Sequence, residues 1–480
     1  MVFNSTEFLI FFAITFLLYY AIKPTWQWGF LILASSAFIM YHVPAFLLVI
    51  LPIILFNFFT GISIQNAVRE KSKKRIFIFS TVINIIILVF FKYINFIIEN
   101  IAFVARNLNL ETELSPLSIL LPLGISFYVF QVIGYNLEIY WENAKPEQHL
   151  GHFAAYVMFF PKLISGPIER AHLFLPQIKS EKRFNYDYIK SGLQLILWGL
   201  FKKLVIADRI DPVTNLIFNN VDDYHGLSLI IGIGLYIVQL YADFSGYTDI
   251  ALGLARTLGY KLTDNFNRPF QATSISDFWR RWHITLSSWV LDYIYTPVAA
   301  SKRGWGKYGT IYALIITFTI LGFWHGASWN FVIYGFLHAL AVSYEFLTKK
   351  IRVKLSNKIP SAVYFPVSRI LTIGFLGFTM IFFRFHNIGE SIAALKNLVT
   401  NISFTTQGLR LGITFEDVFV ILIGILIIEI IEHQKSKHED IGSILHNKPG
   451  WFRWLVYYFF IFSIMFFGSF GVSEFIYFQF

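Results

Sequence analysis

Between Ser274 and Asn330 the chain sets two histidines among tryptophans, arginines and small residues. The first lies in Ser274-Ile-Ser-Asp-Phe-Trp-Arg-Arg-Trp-His283-Ile-Thr-Leu-Ser-Ser-Trp289, the second in Gly322-Phe-Trp-His325-Gly-Ala-Ser-Trp-Asn330. The rest of the chain is dominated by Phe, Ile and Leu, and an ionisable side chain in such surroundings is costly and marks a functional position by default. An imidazole removed from water stays neutral, because burial disfavours its charged form. A neutral imidazole can take a proton from a hydroxyl and return it. Two such rings meeting in a buried chamber are equipped for acyl transfer, with His325 and His283 as the candidate catalytic pair. Each has a structural alternative, a ring hydrogen-bonded to backbone that only fixes packing.

Other polar residues stand where they can line such a chamber: Asp243 and Tyr247, Arg280, and Trp324, Trp329 and Asn330 around the second histidine. The stretch from Leu227 to Leu258 reads as membrane helix, yet it holds Gln239, Asp243, Ser245, Asp249 and Arg256. Asp243, Tyr247 and Arg256 can share one side of that helix, either lining the chamber or making a buried ion pair that fixes packing. Ser274 and Asp277 form a capping box, which predicts a helix from there to Tyr293. On it Trp279, Trp282, Leu286, Trp289 and Tyr293 would form an aromatic face, with Arg280, His283 and Ser287 on another. His338 is read as a packing residue. On one continuous helix it would sit roughly 20 Å from His325. The tryptophans Trp279, Trp282, Trp324 and Trp329 are expected to seal the passage around both histidines against water.

The elements that must hold these residues are membrane helices. Of 480 residues, 56% are hydrophobic, 19% aromatic and 14% charged, with a mean hydropathy of +0.59. A soluble domain carries about a quarter charged residues. Apolar runs recur near 7–22, 26–42, 45–64, 76–101, 117–141, 153–168, 188–218, 227–258, 308–324, 327–347, 366–385, 414–433 and 452–472. The fold class predicted is an all-α polytopic membrane protein with about 11 transmembrane spans, in one domain over 1–480. Pro161, Gly166 and Pro167 predict a broken or re-entrant element at 153–168. Phe8 to Tyr20 is expected to stay as a membrane helix, since no basic segment or cleavage site accompanies it. No cysteine is present, which excludes thiolate metal sites and a cysteine nucleophile, and no metal is expected. The net charge of +10 reflects basic cytoplasmic loops rather than nucleic-acid binding. By the same rule 69–75, 179–183 and 349–354 face the cytoplasm, the loop 107–115 with Glu111 and Glu113 faces out, and the N-terminus is outside.

Several ordered stretches together resemble the bacterial membrane-bound O-acyltransferases, in particular the alginate O-acetyltransferase subgroup. They are Phe159-Phe-Pro-Lys-Leu-Ile-Ser-Gly-Pro-Ile168, Asp243-Phe-Ser-Gly-Tyr-Thr-Asp249, Asn265-Phe-Asn-Arg-Pro-Phe270, Asp277-Phe-Trp-Arg-Arg-Trp-His283, Phe323-Trp-His-Gly-Ala-Ser-Trp329 and the closing region from Glu474 to Phe480. The resemblance implies a ring of tilted helices, with re-entrant and amphipathic helices, around a central chamber. It implies that His325 is catalytic and that His283, at a position held by His or Asn across the superfamily, is the second active-site residue. It also implies no bound cofactor. Its co-substrate would be a cytoplasmic acyl thioester such as acetyl-CoA. The acyl group, most simply acetyl, would pass across a bacterial inner membrane. With an extracytoplasmic acetyltransferase- or esterase-like partner, it would reach a polysaccharide such as alginate or peptidoglycan, the direct acceptor being the glycan or a serine of that partner. The alternatives are a D-alanyl transferase for teichoic acid and a glycan or lipid transporter, in which Asp243, Asp249 and His325 would line the path. The orientation is open to direct test: a single cysteine in 69–75 should resist an impermeant thiol reagent in intact cells, and one in 107–115 should react.

Overall fold

The computed structural model describes the chain apart from residues 111–113, 401–411, 436–443, 446–447, 471–474 and 477–480. The acidic residues Glu111 and Glu113 and most of the closing region, except Phe475 and Ile476, therefore lie outside the described residues. Regular structure among the described residues is helical throughout. Among the described residues, seven helices are long and apolar enough to cross a membrane: Pro44–Asn66, Glu70–Lys92, Leu227–Thr257, Lys307–His325, Trp329–Lys358, Ser361–Arg384 and Gly450–Phe467. The protein is an all-α, multi-pass membrane protein. Several expected spans are interrupted. The run at 76–101 splits at Tyr93, and only Ile125–Tyr140 is helical within 117–141. Basic residues 349–354 continue the helix Trp329–Lys358 and form no loop.

The chain divides into two compact units, residues 1–192 with 254–263, and residues 193–253 with 264–480. In the first unit a buried polar cluster joins three helices. Asn57 Nδ2 donates to Asn84 Oδ1 at 3.0 Å, and Asn57 Oδ1 accepts from Asn84 Nδ2 at 2.9 Å and from Asn136 Nδ2 at 2.7 Å. Where lipid surrounds the helices, burying apolar surface gives little driving force, and such bonds help to select neighbours. The predicted break at 153–168 is present, with helices Leu150–Met158 and Phe160–Leu163 meeting at Phe159. Lys162 is fully buried there, bonding Gln131 Oε1 at 3.0 Å and lying 4.2 Å from the Tyr156 ring centre. The late segment 254–263 is stitched into this unit. Tyr20 donates to the Thr257 carbonyl, Gln177 pairs both backbone groups of Lys261, and the Glu169 carboxylate accepts the amide and hydroxyl of Thr263. Lys73 is buried and paired with Glu70 and Glu142, so the exposed neighbour Lys74 is the better position for a labelling cysteine.

In the second unit the helix Leu227–Thr257 is held by a wide turn. Residues Phe201–Ala207 form a π-helix, a local underwinding that recurs at functional sites. It carries the consecutive lysines Lys202 and Lys203. Lys202 meets Asp249 at 2.7 Å and the Ser245 hydroxyl at 2.8 Å. Lys203 meets Asp208 at 2.7 Å and Asp243 at 2.8 Å. Gly199 and Gly246 allow the backbones this approach, since a Cβ on Gly199 would stand 2.5 Å from the Gly246 carbonyl oxygen. A second close packing joins Lys307–His325 to Trp329–Lys358, where a Cβ on Gly322 would lie 2.2 Å from the Phe331 carbonyl oxygen.

Removing one partner of a buried ion pair strands the other charge, at a cost of about 3–5 kcal/mol, whereas replacing both by apolar residues is often nearly neutral. Lys202→Met should therefore lower the unfolding temperature in detergent markedly, and Lys202→Met with Asp249→Leu should recover most of the loss. A double variant no more stable than the single one would show that the pair is not the stabilising unit.

Candidate active site

The expected single helix from Ser274 to Tyr293 is two short ones, Ile275–Arg281 and Ile284–Val290. Ser274 caps the first as predicted, accepting from the Asp277 amide at 3.1 Å. The Glu345 carboxylate adds a second cap, accepting the amides of Ile275 at 2.6 Å and Ser276 at 2.9 Å. A carboxylate at this end is favoured by the helix dipole. The break falls on Trp282, which is extended, and His283, whose φ of 44° and ψ of 54° are left-handed. The two-faced helix is therefore not formed. Trp279, Trp282, Leu286, Trp289 and Tyr293 are all buried, and Arg280 is exposed. Arg280 borders a largely apolar cavity of about 320 Å³ shared with Ser287 and Thr317, so its expected place beside the histidines is not observed.

His283 is 0% and His325 2% exposed. Both rings pack on one indole: Trp324 lies 5.8 Å from His283 and 5.0 Å from His325, centre to centre. Phe244 also packs on His283, at 4.8 Å. Burial lowers the pKa of His283 to about 3, so its ring is neutral at physiological pH. His283 Nδ1 is 3.1 Å from Asn265 Oδ1. His325 ends its helix, facing Phe383 at 5.1 Å and Tyr334 at 5.8 Å. It forms part of the wall of a cavity of about 20 Å³ with Leu240, Phe270, Trp282, Tyr334, Met380 and Phe383 among its neighbours. A polar pocket of about 50 Å³ reaches Asn265 and is lined by Lys202, Asp249, Asp264, Arg268, Glu432 and Lys435.

His338 lies closer to this site than a straight helix would put it, because the chain reverses between His325 and Trp329. Tyr334 is 5.8 Å from His325 and 4.5 Å from His338. Its role is nonetheless structural. The Trp279 indole N–H donates to His338 Nδ1 at 3.1 Å, which leaves the proton on Nε2 to donate to Thr379 Oγ1 at 3.2 Å. Both nitrogens are committed.

The remaining candidates separate by geometry. Asn330 is buried and its amide bonds the Phe385 and Asn387 carbonyls and the Ser391 hydroxyl, which joins helix ends. Trp329 is 52% exposed, so among the expected sealing tryptophans it does not close the interior. Asp243 pairs with Lys203 and accepts the Ile476 amide at 2.8 Å, while Tyr247 packs on Phe475 at 4.7 Å. Arg256 does not join Asp243; it bonds Ser191 Oγ at 3.3 Å. Asp243 thus makes a buried ion pair, with Lys203 in place of Arg256, and Asp249 pairs with Lys202. The lysines that hold them and the role of Asn265 were missed in the sequence. Two adjacent lysines inside the apolar run 193–207 were the available signal for the first.

A helical membrane protein carrying two buried imidazoles on one tryptophan, beside a small apolar cavity, has the parts of a membrane acyltransferase. The membrane-bound O-acyltransferase family model matches residues 142–383, and the chain belongs to that family. It is similar to a peptidoglycan O-acetyltransferase of Helicobacter pylori, 33% identical over 83% of this chain and 80% of that one. It is likewise similar to a probable alginate O-acetylase AlgI of Azotobacter vinelandii, 36% identical over 72% of this chain and 68% of that one. A teichoic acid D-alanyltransferase of Bacillus subtilis is 33% identical over 47% of this chain and 60% of its own length. The protein is an acyltransferase.

Three histidine variants separate chemistry from packing. His325→Ala should abolish acyl transfer in protein that still folds, with some stability lost to the vacated ring packing, and His338→Ala should lose stability by breaking the Trp279–His338–Thr379 chain. At position 283 Asn should retain more activity than Ala, because Asn tolerates the left-handed backbone and keeps a hydrogen-bonding amide. A His338→Ala protein of normal stability and no activity would overturn the structural assignment.

Proposed function

We propose that the enzyme moves an acetyl group from a cytoplasmic thioester, acetyl-CoA in the simplest case, toward a polysaccharide hydroxyl outside a bacterial inner membrane. His325 takes the proton of the acceptor hydroxyl as its oxygen attacks the thioester carbonyl carbon. The carbon–sulfur bond then breaks and the proton passes to the departing thiolate. General-base help of this kind contributes typically 10²–10⁴-fold. His283 orients the acceptor, or alternatively polarises the thioester carbonyl. The names of the relatives, a peptidoglycan O-acetyltransferase and a probable alginate O-acetylase, support O-acetylation of a polysaccharide. In this proposal an extracytoplasmic esterase-like partner completes delivery, and the N-terminus lies outside by the distribution of basic residues.

The observation that carries acetyl over D-alanyl is the cavity against His325. Its volume of about 20 Å³ compares with the roughly 10–15 Å³ that admits one water, so it accepts a methyl group and no chain. Its lining residues include no carboxylate, and a D-alanyl ammonium there would be a buried charge without a counter-ion.

Purified protein in vesicles should transfer acetyl from acetyl-CoA and discriminate against butyryl. Met380→Ala, which enlarges the cavity, should raise butyryl relative to acetyl turnover, by about 10-fold or more given ~1–3 kcal/mol per methylene in an apolar pocket. Preferential use of a D-alanyl carrier protein by the unmodified enzyme would defeat the acetyl reading.

A further inference from the structure

Asn265 occupies a position that decides how His283 carries its single proton. Its side-chain oxygen accepts three bonds at once: from the Thr285 amide at 3.1 Å, from the Thr285 hydroxyl at 2.8 Å, and from His283 Nδ1 at 3.1 Å. A backbone N–H can only donate, so the Asn265 atom facing it is the carbonyl oxygen and not the amide nitrogen. An oxygen that is only an acceptor requires His283 Nδ1 to carry the hydrogen. A neutral ring with its proton on Nδ1 has its lone pair on Nε2. Asn265 is itself anchored, because its backbone carbonyl accepts the Ile284 amide at 2.9 Å. The same carboxamide therefore starts the helix Ile284–Val290 and sets the ring that precedes it.

The structure assigns Asn265 as the positioning residue that locks His283 in the Nδ1–H tautomer, so that Nε2 accepts a hydrogen bond and cannot donate one. This rests on the acyl-transfer reading and deepens it. A lone pair at Nε2 can receive the hydrogen of an acceptor hydroxyl and cannot polarise a thioester carbonyl. His283 then serves the acceptor, and of its two proposed roles only the orienting one remains. The contrast with His338 is internal to the protein: there an N–H donor faces Nδ1 and forces the opposite tautomer. A neighbouring group that fixes which nitrogen carries the proton is the usual way an imidazole is prepared for work.

The test is nitrogen NMR of protein in bilayers with ¹⁵N-labelled histidine, the His283 signals being identified by their loss in His283→Asn. The unmodified protein should show a protonated Nδ1 and an unprotonated Nε2 at His283, and the reverse at His338. Asn265→Asp, which keeps an acceptor oxygen, should preserve the His283 pattern, and Asn265→Ala should shift both nitrogens toward averaged values. Acceptor-dependent turnover should fall roughly 10- to 100-fold in Asn265→Ala, by analogy with the partners that orient metal-binding imidazoles, with donor KM unchanged. An unprotonated Nδ1 at His283 in the unmodified protein would overturn the assignment. So would an unchanged tautomer in folded Asn265→Ala, and a raised donor KM at unaltered turnover would place His283 on the thioester. The tautomer is read without any turnover, so a failure of the acetyl reading would leave this result standing, and the converse also holds.

Discussion

The consecutive amines Lys202 and Lys203 are buried in the second unit and each meets a carboxylate, a requirement that shapes the unit around them. An ordinary α-helix would turn two successive side chains about 100° apart. Here the π-turn that carries them serves Asp249 with one and Asp243 with the other. The dependence runs onward to the site. Asp243 receives the Ile476 amide, Phe475 packs on Tyr247 and Phe244, and Phe244 packs on His283. A charge pair far along the chain from residue 283 thus helps determine where that imidazole stands.

The three histidines of the site share burial and differ in what their nitrogens meet. His338 lies between a donor and an acceptor and belongs to the scaffold. His283 gives its Nδ1 to Asn265 and stands at a reversal of the backbone. His325 terminates a helix where the glycine that follows lies so close to Phe331 that a Cβ would meet the ring at 2.2 Å. All three rings are buried, and the local donor and acceptor pattern distinguishes scaffold from machinery.

Much of this was legible in advance, for physical reasons. Apolar runs announced a polytopic membrane protein, the Pro161 region announced its break, and Ser274 announced a helix start. The paired histidines stood out because imidazoles are costly among Phe and Leu. Periodicity misled at Ser274–Tyr293, since a regular aromatic spacing cannot reveal that Trp282 and His283 leave helical geometry. The straight-helix distance to His338 failed for a similar reason: Gly326 to Ser328 permit a reversal whose direction only tertiary packing decides. Trp329 and Arg280 were misplaced because residue type reports affinity for an interface, and not which side of it a side chain faces. Asn265 was seen as part of a motif and not as a partner of His283, since a contact across 18 residues has no periodic signature.

The first unit takes its last strip of chain, 254–263, only after residues 193–253 have been made. Translation proceeds from the N-terminus at about 5–20 residues per second, so the nascent protein passes several seconds with Glu169, Gln177 and Tyr20 waiting for Thr263, Lys261 and Thr257. Those polar groups must be held by water or by the insertion machinery during that interval. Biogenesis of this enzyme is therefore interleaved: the early helices are committed to the membrane before their own closure exists, and a ribosome stalled between 193 and 253 would leave behind a unit that cannot finish.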